Sequence, residues 1–269
     1  MLDSFKREIN YLRISVTDRC NLRCIYCMPL SGITLKRSEE ILSYEEIIQI
    51  AAQAARMGIK KIRLTGGEPL LRRNIGFLIQ SLKELAGIHE VCLTTNGVLL
   101  DKLAAEIKRT GLDRINISLD TLDAGRYQRI TRIGDIRDVH RGIAAASACG
   151  FENTKINMVL LPGINDDETE RMKDFCRERG LGLQRINHYS LRRRWSPRQP
   201  RVASERPPPC RSCNRIRLTA DGKLKPCLFS NEEFAVDFAD IAASIRGVVA
   251  RKPLTGTSCS VRQNWQIGG

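Results

Sequence analysis

The sequence contains no apolar run approaching the ~20 residues that a membrane-spanning helix needs, so no membrane partner is expected. Its first ten residues, Met1 to Asn10, are mixed and charged and lack the apolar centre of a secretory leader; a soluble, cytoplasmic chain is expected. Aromatic residues make up only 5%, which argues against a base-stacking platform for single-stranded nucleic acid. Acidic residues are the minority charge. The chain has 30 Asp and Glu against 44 Lys and Arg, a net charge of +14. That excess favours anionic partners, whether nucleic acid, nucleotide or membrane surface, without choosing between them.

What is present is enough for a sizeable core: 269 residues with 42% hydrophobic content fit one large domain or a domain with an annex. Short β-type runs rich in Ile, Val, Leu and Thr predict strands at Leu12–Thr17, Lys61–Thr65, Val91–Thr95, Arg114–Leu119, Thr154–Leu160 and Leu183–Tyr189. Amphipathic segments lie between them. Ser43-Tyr44-Glu45-Glu46 reads as a capping box opening one helix, and further helices are predicted near Asn74–Leu85, Asp101–Thr110, Asp135–Cys149 and Asp166–Arg179. This alternation implies parallel βαβ units. Six strands are too few for a closed eight-stranded barrel, so an open, partial (β/α)6 TIM-like barrel is expected over 1–190, with its site at the C-terminal strand ends. The texture changes after Ser190. A basic, proline-rich linker is expected over 191–209, and a small annex with little hydrophobic mass over 210–269, where a metal centre would help hold it together.

Six of the ten cysteines fall into two groups. In a chain without a leader, such clustering points to metal or redox chemistry more than to disulfides. Cys20-x3-Cys24-x2-Cys27 follows the first strand. Three thiolates can hold three irons of a [4Fe–4S] cube and leave the fourth iron open to chelate S-adenosylmethionine (SAM). A zinc site is the other reading of the triplet, although no fourth ligand lies nearby. Gly66-Gly67-Glu68-Pro69, Thr94-Thr95-Asn96-Gly97 and Ser118-Leu119-Asp120 place small and polar groups at successive strand ends, where a parallel barrel binds ligands; singly, each also fits an ordinary turn. Cys210-x2-Cys213-x13-Cys227 supplies three more thiolates. Its spacing fits a zinc ribbon, with Cys259 or His188 as fourth ligand, as well as it fits iron.

The first triplet with Tyr26 before its last cysteine, followed by Gly-Gly-Glu-Pro, resembles the radical SAM superfamily. Longer stretches, Leu12–Cys20, Lys61–Leu70, Leu93–Gly97 and Ile115–Asp120, are similar to its GTP 3′,8-cyclase branch, with a likeness running from about Tyr11 to Asn187 and resuming at Cys210. The resemblance implies a lyase of molybdenum-cofactor biosynthesis that carries two [4Fe–4S] clusters and uses SAM. Cys20, Cys24 and Cys27 would hold the catalytic cluster, and Cys210, Cys213 and Cys227 the second, whose open iron meets the guanine end of GTP. Tyr26, Gly67, Thr94 and Ser118 match positions that hold SAM, and Glu68 joins them as a carboxylate able to accept from a cationic amine. Arg13, Arg63, Lys155, Arg185, Arg215 and Arg217 match positions that hold GTP. Arg192-Arg193-Arg194 reads as a solvated loop or as a triphosphate-steering element. Trp265-Gln266-Ile267 would anchor a Gly268-Gly269 tail that enters the site.

Two stretches depart from the family: the bridge from Arg185 to Cys210 and the segment after Cys227 are shorter, and Ser190 stands where a methionine near SAM is usual. GTP as substrate and an external electron donor are implied; nucleic acid is not, and a homodimer is left open. Two other functions are weighed: a radical SAM enzyme acting on a peptide or another nucleotide, and a basic, non-enzymatic metalloprotein that binds RNA.

Overall fold

The computed structural model describes residues 1–191 and 209–267, so nearly all of the expected linker, including Arg192-Arg193-Arg194, and the Gly268-Gly269 tail lie outside the described residues. Six parallel strands form where the β-type runs predict them: β1 (Tyr11–Ser15), β2 (Lys61–Thr65), β3 (Glu90–Thr95), β4 (Arg114–Ser118), β5 (Lys155–Leu160) and β6 (Gly182–Asn187). Helices alternate with them: α1 (Tyr44–Arg56), α2 (Ile75–Lys83), α3 (Leu100–Arg109), α4 (Ala124–Thr131), α5 (Ile136–Ala148) and α6 (Thr169–Glu178). Ser43 caps α1 as its capping box predicts: its hydroxyl accepts from Glu46 N at 3.1 Å, and its own N–H donates to the Glu46 carboxylate at 2.7 Å. Between β4 and β5 the chain makes two helices. The first, α4, was not expected, because its residues are mostly polar and its apolar face is narrow.

The segment expected as a separate annex continues the barrel's own sheet. Its first strand, β7 (Arg215–Leu218), pairs parallel with β1, and β8 (Lys223–Lys225) and β9 (Phe234–Ala235) follow antiparallel. The strand order is β6-β5-β4-β3-β2-β1-β7-β8-β9, so the sheet is open, with β6 and β9 at its edges. Ile216, Leu218 and Leu224, with Ile245, Val248 and Val249 of α7 (Ile241–Ala250), belong to the same apolar core as the barrel helices. A short C-terminal helix, α8 (Asn264–Ile267), buries Trp265 and Ile267.

Strand alternation sorts the side chains. Leu12, Ile14, Ile62, Leu64, Ile115, Ile117, Ile156 and Met158 are fully buried in the core shared with the helices. The intervening positions, among them Arg13, Arg63, Asn116, Lys155 and Arg217, line the concave interior. A closed barrel fills that interior with apolar layers; here it is polar and hollow. No described helix is long and apolar enough to cross a membrane.

Packing at the helix layer is tight where backbones meet. A Cβ on Gly142 of α5 would lie 2.1 Å from the carbonyl oxygen of Gly97, while one on Gly247 of α7 would meet nothing within 4 Å. Gly142→Ala is expected to lower the unfolding free energy by about 1–3 kcal/mol. Gly247→Ala, on an exposed helix face, should raise it by roughly 0.5–1 kcal/mol. Chemical denaturation of the two variants checks this, and equal responses would contradict the packing.

Candidate functional site

Two cavities occupy the concave side of the sheet. The first, of about 190 Å³, is lined by Cys20, Cys24 and Cys27, by Gly66, Gly67, Thr94, Asn96 and Ser118 at the strand ends, and by Tyr26. The second, of about 230 Å³, is lined by Cys210, Cys213 and Cys227 and by basic side chains. Thr94, Asn157, Ile186 and Tyr189 line both, so the cavities share a wall. The first lies at the C-terminal strand ends, as expected. The second reaches through the barrel to the N-terminal strand residues Tyr11, Lys61, Arg114 and Lys155, because the open interior is not filled.

The loop after β1 is shaped before any ligand arrives. Cys27 N and Met28 N both donate to the Cys24 carbonyl, at 2.9 and 3.0 Å, closing a tight turn. The end of α4 holds the same loop: Arg23 N donates to Thr131 O, Ile25 N to Ile130 O, and Arg132 Nη1 to Arg23 O and Met28 O at 3.0 and 2.9 Å. The glycine pair packs against it from the other side. Gly67 N donates to Thr17 O and Glu68 N to Arg19 O, and a Cβ on Gly67 would sit 2.2 Å from Arg19 O. Gly66 has φ of 147°, which disfavours any other residue. The glycines thus serve a close approach between two backbone segments.

The structure places Glu68 beneath this cavity and not in its lining. The residue is 1% exposed, and its carboxylate accepts from Leu70 N, Thr95 Oγ1 and Asn96 N at 3.0, 2.7 and 2.7 Å. It ties the glycine turn to the end of β3. This tie does not use up the carboxylate: Oε1 accepts twice, but Oε2 accepts only from Asn96 N and keeps a lone pair for an amine such as that of SAM. Burial pushes its carboxyl up to about 7 against those three donors. Tyr26 donates to Asp120 Oδ2 at 2.7 Å, and burial pushes the Asp120 carboxyl up to about 6.

The three thiols suit a cationic cluster. Burial raises all three, and their mutual repulsion adds to this at Cys24 and Cys27, the latter pushed up to about 12. Neighbouring thiolates are stabilised by positive charge, and metal binding displaces their protons. Among the described residues no three His, Cys, Asp or Glu side chains converge as a single metal ion requires. The three thiols line one cavity, where three thiolates can hold three irons of a [4Fe–4S] cluster. The second group is also undivided by disulfides. There, burial raises the Cys213 thiol, but the Lys252 ammonium and the Arg215 guanidinium outweigh it and bring it down to about 7. Cys259 packs with Leu191 and Ile267, and His188 lines the first cavity; neither lines the second cavity.

The basic lining is ordered by register. Arg217 of β7, Arg13 of β1 and Arg63 of β2 are direct partners on three neighbouring parallel strands. Arg63 is fixed by Tyr11 Oη at 2.7 Å, Asn116 Oδ1 at 3.0 Å, and Leu93 O and Thr94 Oγ1 at 3.2 Å. Burial and the neighbouring arginines bring the Arg13 guanidinium down to about 9. Lys61 and Arg114 pair with Glu90. No Asp or Glu lines the cavity among the described residues, whereas eight Lys and Arg do.

Arg13, Arg63, Lys155, Arg215 and Arg217 all line this cavity. Arg185 does not: its neighbours Gln184 and Ile186 line it, and the two-residue alternation of β6 turns Arg185 to the other face. Sequence reasoning missed Tyr11, Asn116 and Asn157, whose inward alternation was readable, and Lys252 and Asn264, which only the tertiary fold brings in.

Residues 14–176 match the model of the radical SAM superfamily, and residues 190–252 match that of Molybdenum Cofactor Synthesis C. The fold agrees: the structure of Streptococcus suis SuiB bound to S-adenosylmethionine superposes with a TM-score of 0.67 at 16% identity, covering 92% of this chain and 65% of that one. Closer likeness in sequence comes from two proteins named GTP 3′,8-cyclase. The Moorella thermoacetica protein is 42% identical over 278 residues, covering 88% of this chain and 86% of its own. The Heliobacterium modesticaldum protein is 41% identical over 279 residues, covering 87% and 85%. The chain belongs to the GTP 3′,8-cyclase family of radical SAM enzymes.

Glu68→Gln tests the structural role assigned to that carboxylate. An amide sets an N–H against one of three donors, which should lower the unfolding free energy of the ligand-free chain by about 1–3 kcal/mol in a denaturant titration. Unchanged stability would contradict the assignment.

Proposed function

We propose that this chain converts GTP to (8S)-3′,8-cyclo-7,8-dihydroguanosine 5′-triphosphate in molybdenum-cofactor biosynthesis. The observation that carries the proposal is the shared wall: a thiol-lined cavity at the strand ends opens beside a cation-lined cavity carrying a second thiol group. Cys20, Cys24 and Cys27 would hold a [4Fe–4S] cluster, whose chemistry would be to supply the electron that opens the sulfonium carbon–sulfur bond of SAM.

The remaining work belongs to the chain's own residues. Gly67, Thr94, Ser118 and Tyr26, which line the first cavity, would surround SAM. Arg13, Arg63, Arg217 and Lys155 hold the triphosphate, and Arg215 lies beside the second thiol group, where Cys210, Cys213 and Cys227 hold the cluster that meets the base. Fixing both partners in adjacent cavities converts a bimolecular encounter into an intramolecular one and keeps a reactive carbon radical from water. The proposal includes a cytoplasmic setting, where thiols stay reduced, and a separate one-electron donor.

Cys24→Ala should abolish formation of 5′-deoxyadenosine, measured anaerobically with a chemical reductant, since a cluster lacking one thiolate is lost or misassembled. Full activity in that variant would remove the SAM assignment. Arg217→Ala should weaken equilibrium GTP binding by roughly 10- to 100-fold, the loss of one charge-assisted hydrogen bond, while SAM cleavage without substrate is retained. Wild-type affinity would leave a radical SAM enzyme with a different substrate.

A further inference from the structure

The second thiol group has a basic neighbour that no family motif singled out. Lys252 follows α7 and is 3% exposed. Its ammonium donates to Arg215 O at 2.8 Å, to Pro226 O at 2.9 Å and to Cys213 Sγ at 3.4 Å. An ammonium has three N–H donors, and each has an acceptor here. Two carbonyls on the chain segments bearing Cys213 and Cys227 fix the nitrogen, and the third bond goes to sulfur.

The segment bearing Lys252 is itself clamped. Arg7, 8% exposed, donates through Nη2 to Pro253 O at 2.7 Å and through Nη1 to Leu254 O at 3.1 Å and Cys210 O at 2.9 Å. Asp3 Oδ2 accepts from Arg7 Nε at 2.6 Å and anchors it. The N-terminal turn, the residues after α7 and the Cys210–Cys213 loop are thus joined through two buried cations. Burying an ammonium is costly unless it is paired. Among the described residues no acidic side chain is bonded to Lys252 Nζ, and of its three hydrogen-bond acceptors the thiol sulfur is the one able to carry negative charge.

We propose that Lys252 is a positioning residue for the second cluster, orienting Cys213 and raising the cluster's reduction potential through an N–H···S bond and a buried positive charge. This rests on the cluster assignment above. Hydrogen bonds to ligating sulfur and local net charge are the protein's main means of setting such potentials. A purely structural lysine would tie the same carbonyls with no effect on potential.

The test uses the full-length protein, reconstituted anaerobically and followed by iron analysis and EPR-monitored redox titration. The same titration in a Cys24→Ala background identifies the second cluster's signal. Lys252→Met should give a second cluster of lower potential than wild type, with Lys252→Arg lying between them. Loss of the second cluster in Lys252→Met but not in Lys252→Arg also supports the assignment, because charge is what the two variants differ in. An unchanged potential in fully loaded Lys252→Met overturns it. Loss of the cluster in both variants also overturns it, since shape and not charge is then required. A wild-type protein with no second cluster overturns the site assignment itself, and this proposal with it.

Discussion

Arg217, Arg13 and Arg63 stand side by side on three neighbouring parallel strands, and much of the structure is arranged around the repulsion among them. Strands lie about 4.8 Å apart, and burial together with the charges of Arg217 and Arg63 brings the Arg13 guanidinium down. Like charges directly across a sheet destabilise it. They persist because the opposite face of the same strands is among the most apolar parts of the chain, with Leu12, Ile14, Ile62, Leu64, Ile216 and Leu218 sealed against the helices. Burial of that face holds the arginines in register. Under the proposed function, a bound triphosphate would remove the repulsion, and stability given up in the empty site would return as affinity.

The same arrangement explains why the segment after 210 had to join the sheet. A detached annex could bring thiols near the barrel, but it could not place Arg217 next to Arg13. Pairing of β7 with β1 does this directly and sets Cys213 two residues before the first arginine of the strand. The second thiol group therefore inherits its position from backbone hydrogen bonds of the main sheet. Thr94, Asn157, Ile186 and Tyr189 then separate the two chemistries by little more than one layer of side chains.

Much of this was legible in the sequence, and the misses share one physical origin. The six β-type runs, the Ser43 capping box and the two cysteine groups are local signals, and the structure contains each of them. The strand Arg215-Ile216-Arg217-Leu218 was visible as an alternation, but its partner β1 lies some 200 residues away, so its place in the sheet was not. The structural tie of Glu68 was not readable, because two of its donors, Thr95 and Asn96, are supplied by another strand end. Arg185 falls on the wrong face by one residue of register, the smallest error a strand allows. Lys252 lies 39 residues from Cys213, and nothing in its local pattern points to a sulfur.

The central claim is that SAM in the first cavity and GTP in the second react with each other across the shared wall. The direct measurement is an anaerobic reaction of the full-length protein with SAM, GTP and a one-electron reductant, analysed by liquid chromatography and mass spectrometry. The account predicts 5′-deoxyadenosine appearing together with a cyclised nucleotide isomeric with GTP. 5′-Deoxyadenosine released while GTP is recovered unchanged would contradict it.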